Sequence, residues 1–181
     1  MMPRRAVAAA AAALLLTVTL GVTACMPEPE PTPTPTGFAS EAEAFAAAEE
    51  TYRAYVDALN QVDLSDPDTF EPVFAWTTGE ANADERQSVS QMHADEWAVS
   101  GETVTEAFLP TAYTPEESAV VAAVACSNVS DIQLVDATGI SMVSPDRRDV
   151  YALALEFQYS ETSATLLQIS SSTAVEDSRC A

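Results

Sequence analysis

The residues that could do chemistry in this 181-residue chain are few: three cysteines, one histidine and scattered carboxylates. Cys25 stands in the sharpest context. Val22-Thr23-Ala24-Cys25 places a branched apolar residue, a small residue and alanine directly before a thiol. That is the lipobox pattern, in which small side chains let a peptidase take the chain in extended form and the thiol accepts a diacylglyceryl group. Upstream, Arg4 and Arg5 precede residues 6–20, which are apolar apart from two threonines. A membrane span needs about 20 apolar residues, so this shorter run reads as a secretory signal. Residues 1–24 are therefore expected to be a lipoprotein signal peptide. Cys25 becomes the lipidated first residue of the mature chain, which two or more acyl chains hold stably on the extracytoplasmic face of the cell membrane.

With Cys25 consumed, Cys126 and Cys180 remain. An even pair in an exported chain reads as a disulfide, here tying the C-terminus to a mid-chain strand. His93 is the only histidine. It falls beside the apolar side of a helix, where it could act as a general base supported by an acid such as Asp57 or Glu96. It could equally be a structural residue. No second histidine or thiolate accompanies it, so no transition-metal site is expected. Asp63, Asp66, Asp68 and Glu71 cluster in sequence, but the calcium-loop spacing and its central glycine are missing. Helix capping and dipole compensation explain them. No GxSxG, phosphate-binding loop or GxGxxG occurs. No catalytic residue, metal or cofactor is assigned. Trp76, Trp97, Tyr113, Tyr151 and Phe157 could line an apolar pocket or simply fill the core.

Charge narrows the partners. Beyond residue 24 the chain carries 28 acidic residues against Arg53, Arg86, Arg147, Arg148 and Arg179, and it has no lysine. Such a surface repels phosphate backbones and anionic lipid heads, which argues against nucleic acid. Solubility explains it without any need for cation capture. Proline at every second position from Pro27 to Pro35 fixes φ and removes donors. Residues 25–39 thus form a Pro/Thr-rich tether, and its ten-residue proline stretch spans roughly 30 Å as polyproline II.

Residues 40–181 are left as one domain of ordinary size. Ser40 and Glu43 form a capping box before a helix reaching about Asn60, with Phe45, Ala48, Tyr52, Tyr55, Val56 and Leu59 on its apolar face. Pro72 interrupts or opens a short helix. A third helix is predicted over residues 83–99, capped by Asn82 and ended by Gly101. The period then changes to two. Strands are predicted over residues 103–111, 119–126, 131–135, 151–159 and 165–171, with turns at 136–139 and 146–149. The unbroken Ala/Val run at 119–126 reads as covered on both faces. The fold class is α+β: three N-terminal helices packed on a curved, mostly antiparallel sheet of about four strands.

Helices first and long antiparallel strands after resembles the nuclear-transport-factor-like, or SnoaL-like, cone fold. The stretch CSNVSDIQLVDATGISMVSPDRRDVYALALEF from Cys126 to Phe157, with its terminal Cys180, resembles actinobacterial lipoproteins that share a lipobox, a Pro/Thr-rich tether and a strand cysteine facing a C-terminal one. The resemblance implies a cone-shaped cavity. Some members of that fold are isomerases or dehydratases, and others only bind or dimerise. No family motif matches a catalytic residue here. The sequence favours a membrane-anchored, non-enzymatic module of the cell envelope that meets an envelope protein or a small ligand. The alternative is a small-molecule lyase or isomerase with His93 as base.

Cys25→Ser tests the anchor. The variant is expected in the medium or as an uncleaved precursor. A membrane-bound variant of mature size, seen by fractionation and intact mass, would refute lipidation.

Overall fold

The computed structural model describes residues 37–116 and 119–180. Cys25, the signal peptide and most of the tether lie outside the described residues.

Helix α1 (Glu41–Leu59) starts where the cap signal places it. Ser40 Oγ accepts from the Glu43 amide at 3.2 Å, and Glu43 Oε2 reaches back to the Ala39 amide at 2.8 Å. Ala44, Ala48, Tyr52 and Val56 recur at helical spacing and are all buried. A 3₁₀ turn (Pro67–Thr69) and α2 (Glu71–Phe74) follow, and then α3 (Gly79–Ala94). Asn82 is not the cap of α3. Thr78 occupies that position, and Asn82 lies one turn in, donating to the Phe74 carbonyl and to Thr77 Oγ1.

The end of α3 also departs from expectation. The helix stops at Ala94, five residues early, because the chain folds into a two-bond C-terminal cap. The Trp97 amide bonds the Met92 carbonyl and the Glu96 amide bonds His93, with Glu96 at φ +57. That position is normally glycine, and a glutamate there gives no stop signal. Trp97 and Met92, the pair such a cap brings together, both pack against the second apolar cluster. Residues 98 and 99, expected as helix, instead belong to strand β1 (Ala98–Ser100). Gly101 does not end a helix. At φ +88 it lets the chain run so close to Asp131 that any Cβ would collide with that carbonyl.

Strands β2 (Val104–Tyr113), β3 (Ala119–Asn128), β5 (Val150–Tyr159) and β6 (Leu167–Val175) form an antiparallel sheet in the order β2-β3-β5-β6. β4 (Gln133–Val135) pairs only with β1, as a separate ribbon. Three helices against a mostly antiparallel sheet of four main strands is the α+β class the period change predicts. The sheet's inner face carries Val121, Ala123, Ala125, Leu155, Phe157, Leu167 and Ile169, packed against Ala44, Ala48, Tyr52 and Val56 of α1. The outer face is not covered as the Ala/Val run suggests: Ala122 and Val124 are only half-buried. Small side chains make that arrangement tolerable, since each leaves little apolar area in water. A second cluster of Ala58, Leu64, Phe70, Val73, Phe74 and Val89 lies beyond the end of α1.

Cys126 and Cys180 are joined by a disulfide with Cα atoms 5.1 Å apart, within the range of about 4.4–6.8 Å such bonds require. Cys126 lies on β3, and the tail reaches it by running along β5 as β6 and then turning through a 3₁₀ segment (Ser178–Cys180). Arg179 donates to both carboxylate oxygens of Asp177 within that turn, which holds the Asp177 carboxyl down at about 2.

The bond closes a loop of 54 residues. The chain-entropy relation gives about 4 kcal/mol for that length. Urea denaturation with and without reductant is expected to show a loss of that order. An unchanged midpoint would mean that the reduced tail stays docked without the bond.

Candidate functional site

Where α1, α3 and the β1–β4 ribbon leave the sheet unfilled there is a half-open cavity of about 630 Å³. Its walls are aliphatic, with Leu59, Val62, Leu64, Val89, Met92 and Leu134 among them. This is a typical size and chemistry for a small-molecule site. Gly101 belongs to its wall, so the close approach to Asp131 helps to shape it.

Asn60, Ser100, Thr103, Arg147 and two carboxylates, Glu85 and Glu102, interrupt the apolar lining. Glu85 stands on α3 in the stripe Ala81–Glu85–Val89, spaced by four residues and hence on one helix face. Its Oε2 accepts from the Tyr55 hydroxyl of α1 at 2.7 Å. Glu85 Oε1 has no hydrogen-bond partner among the described residues, and no fully buried side-chain oxygen lacks a partner. That oxygen is therefore not fully enclosed, and Glu85 lines this cavity. No arginine pairs with Glu85. Arg147, the cation on the cavity lining, donates to the Ser130 carbonyl instead.

Burial governs the protonation of this pair. It pushes the Glu85 carboxyl up, and the Tyr55 hydrogen bond opposes that rise. The Tyr55 phenol goes well above its ordinary value, first through burial and then through the adjacent Glu85 charge. Tyr52, one turn earlier on α1, is raised by burial while its hydrogen bond with Ser127 of β3 works the other way. The two tyrosine rings lie 6.2 Å apart. A polar line thus runs from the sheet through α1 to the cavity wall. Both phenols stay neutral donors at neutral pH, and Glu85 is the group that titrates. A smaller space of about 160 Å³ lies on the other side of Tyr55 and Glu85, against Leu155 and Ile169.

The residues singled out from sequence are placed elsewhere. His93 is exposed and its Nδ1 lies 2.6 Å from the Leu64 carbonyl. A carbonyl only accepts, so Nδ1 carries the proton. The ring stands edge-on to Phe70 at 6.0 Å. His93 does not line the cavity, and neither Asp57 nor Glu96 touches it. The imidazole braces the loop after α1, and the general-base role loses its geometry. The Asp63–Glu71 acids are occupied locally. Asp63 accepts from Ser65, Asp66 from the Asp68 amide, and Glu71 pairs with Arg86. No group of three or more metal-ligating side chains occurs among the described residues. Trp76 and Trp97 pack against the second cluster, and Phe157 is fully buried in the first with Tyr113 beside it. None of the five aromatics lines the main cavity. Tyr151 borders a shallower depression with Met142 and Val143.

No helix among the described residues is long and apolar enough to cross a membrane. No protein-family model matches the sequence, and no curated protein does. Solved structures similar to it include two extended matches. One is a periplasmic fragment of TraM, 12% identical with a TM-score of 0.47, covering 76% of this chain and 98% of its own. The other is the VirB8 protein of Agrobacterium tumefaciens, 13% identical with a TM-score of 0.46, covering 78% of this chain and 98% of its own.

Glu85 ionises near 4.5 in the unfolded chain and at higher pH in the fold. Across that window the native state binds more protons than the unfolded one, so this group makes stability fall as pH rises. Glu85→Gln removes the fall. Melting curves from about pH 4 to about pH 7 are expected to show the variant gaining on the parent with rising pH. A constant or shrinking gap would refute the assignment.

Proposed function

We propose that the chain is an extracytoplasmic, non-enzymatic binding module of the cone class, lipid-tethered at Cys25, and that it takes a small apolar ligand in the cavity beside Glu85. The observation that carries the reading is the cavity itself: a half-open space with a largely aliphatic lining and a carboxylate oriented by Tyr55. Binding sites combine these elements, an apolar lining for affinity and a fixed hydrogen-bonding group for orientation.

A reaction centre asks for more. General acid–base catalysis needs a positioned proton carrier facing the substrate together with groups that stabilise developing charge. The cavity offers two carboxylates, Glu102 and Glu85, the latter with one oxygen already held by Tyr55, and among the described residues it is lined by no histidine, cysteine or lysine. The exported setting is supported by the lipobox, the proline-rich tether and a disulfide between β3 and the C-terminal 3₁₀ segment, a bond that persists in oxidising compartments. Cys25 as anchor, residues 25–39 as spacer and residues 40–181 as the working domain would hold the cavity off the membrane surface. An envelope protein could then deliver or read the ligand.

Nile red, a neutral apolar dye, tests the cavity. The protein is expected to bind it with a fluorescence rise. Val62→Trp, which puts an indole into the lining at a half-buried loop position, is expected to weaken binding about tenfold, a change of about 1.4 kcal/mol. Circular dichroism and the melting temperature should stay unaltered. Equal binding by parent and variant, or none by the parent, would refute the site.

A further inference from the structure

We propose that the ligand of this cavity is an apolar molecule carrying a protonated amine, and that the free oxygen of Glu85 receives the ammonium group. The proposal rests on the cavity being the binding site and adds its chemical class.

The lining determines what is rejected. An anionic ligand would bring like charge against Glu85 and against Glu102 on the same wall. A bare divalent cation wants six or more oxygens at short range, and no group of three or more metal-ligating side chains occurs among the described residues. A purely apolar ligand can fill the cavity but gives the Glu85 oxygen no donor, and so binds more weakly than one that does. An alcohol would satisfy the oxygen but leave the charge uncompensated. An ammonium group does both. Its N–H donates to Oε1, and its charge neutralises a carboxylate that no arginine approaches. Charge-assisted bonds of this kind are about twice as strong as neutral ones.

Two further features agree. Tyr55 fixes the second oxygen, so the acceptor is oriented before the ligand arrives and little freedom is lost on binding. The chain beyond residue 24 has 28 acidic side chains and five basic ones, a field that raises the local concentration of cations and speeds their encounter. Arg147 does not compete for Glu85, since its guanidinium is turned to the Ser130 carbonyl.

The test compares three ligands of equal chain length, n-decylammonium, n-decanol and n-decanoate, titrated calorimetrically below their aggregation limits. Decylammonium is expected to bind one to one and about tenfold tighter than decanol, with decanoate weakest, as a hydrogen bond to a charged group implies. Glu85→Gln is expected to bring decylammonium down to the level of decanol and to leave decanol unchanged. Val62→Trp should weaken both. Decanol binding as tightly as decylammonium would overturn the amine assignment while leaving the cavity as the site. Binding of none of the three would overturn the cavity reading as well. Many equivalents of decylammonium, unaffected by Val62→Trp, would be exchange on the acidic surface and would also overturn the assignment. The comparison on the unaltered protein decides even if Glu85→Gln fails to fold.

Discussion

The seating of Tyr52 between α1 and the sheet is the contact on which the rest depends. Its ring is buried, 6.0 Å from Phe108, which in turn stands edge-on to Phe157 at 6.1 Å. In the two turns of α1 before it, Ala44 and Ala48 are fully buried against the sheet, with Phe45 and Ala47 packed beside them. Small residues there let the helix backbone approach closely, and the aromatic trio then fixes how far it can slide or roll. Aromatic pairs at these separations contribute about 0.5–1.5 kcal/mol beyond the area they bury. Once Tyr52 is seated, Tyr55, one turn on along neighbouring surface of the same helix, reaches Glu85 of α3. The position of the Glu85 carboxylate therefore follows from a packing contact made elsewhere.

Polar atoms inside the fold are arranged to the same end. Thr51 and Thr165 meet at 2.6 Å inside the core, and Ser163 bonds Thr165 in turn. Thr51 also returns a bond to the Ala47 carbonyl of its own helix. Each hydroxyl can donate one proton and accept others, so the three close a small network where α1 crosses the start of β6. No fully buried side-chain polar atom is left over among the described residues.

Much of the fold was legible in the sequence for physical reasons. The alternation at Tyr151, Leu153, Leu155 and Phe157 can only be a half-buried strand, and Ser40 with Glu43 can only open a helix cleanly. The end of α3 was illegible because glutamate occupies a left-handed position that normally advertises itself with glycine. That error propagated, hiding β1 and with it the ribbon that closes the cavity. The site was illegible for a different reason. Tyr55 looks like one more apolar-face aromatic, and Glu85 like one more acid near Glu80 and Asp84. Thirty residues separate them, and only the crossing of α1 and α3 brings them together. A signal was present: an acid in the stripe that otherwise reads Ala81, Val89, Met92. The lone histidine drew attention by its rarity, which says nothing about where its ring points.

The disulfide has a mechanical consequence. Covalent closure between Cys126 and Cys180 takes the intervening 54-residue separation out of the load path when the chain is pulled between its ends. Fully drawn out, that stretch would lengthen the molecule by roughly 180 Å at about 3.3–3.6 Å per residue. With the bond intact, force entering at the N-terminal end passes through α1, α2, α3, β1, β2 and β3 and then leaves directly through the sulfurs. β5 and β6 carry no tension. A domain held at one end and tugged through its tail would yield by shedding its helices, and half of its sheet would stay coiled behind a covalent stop.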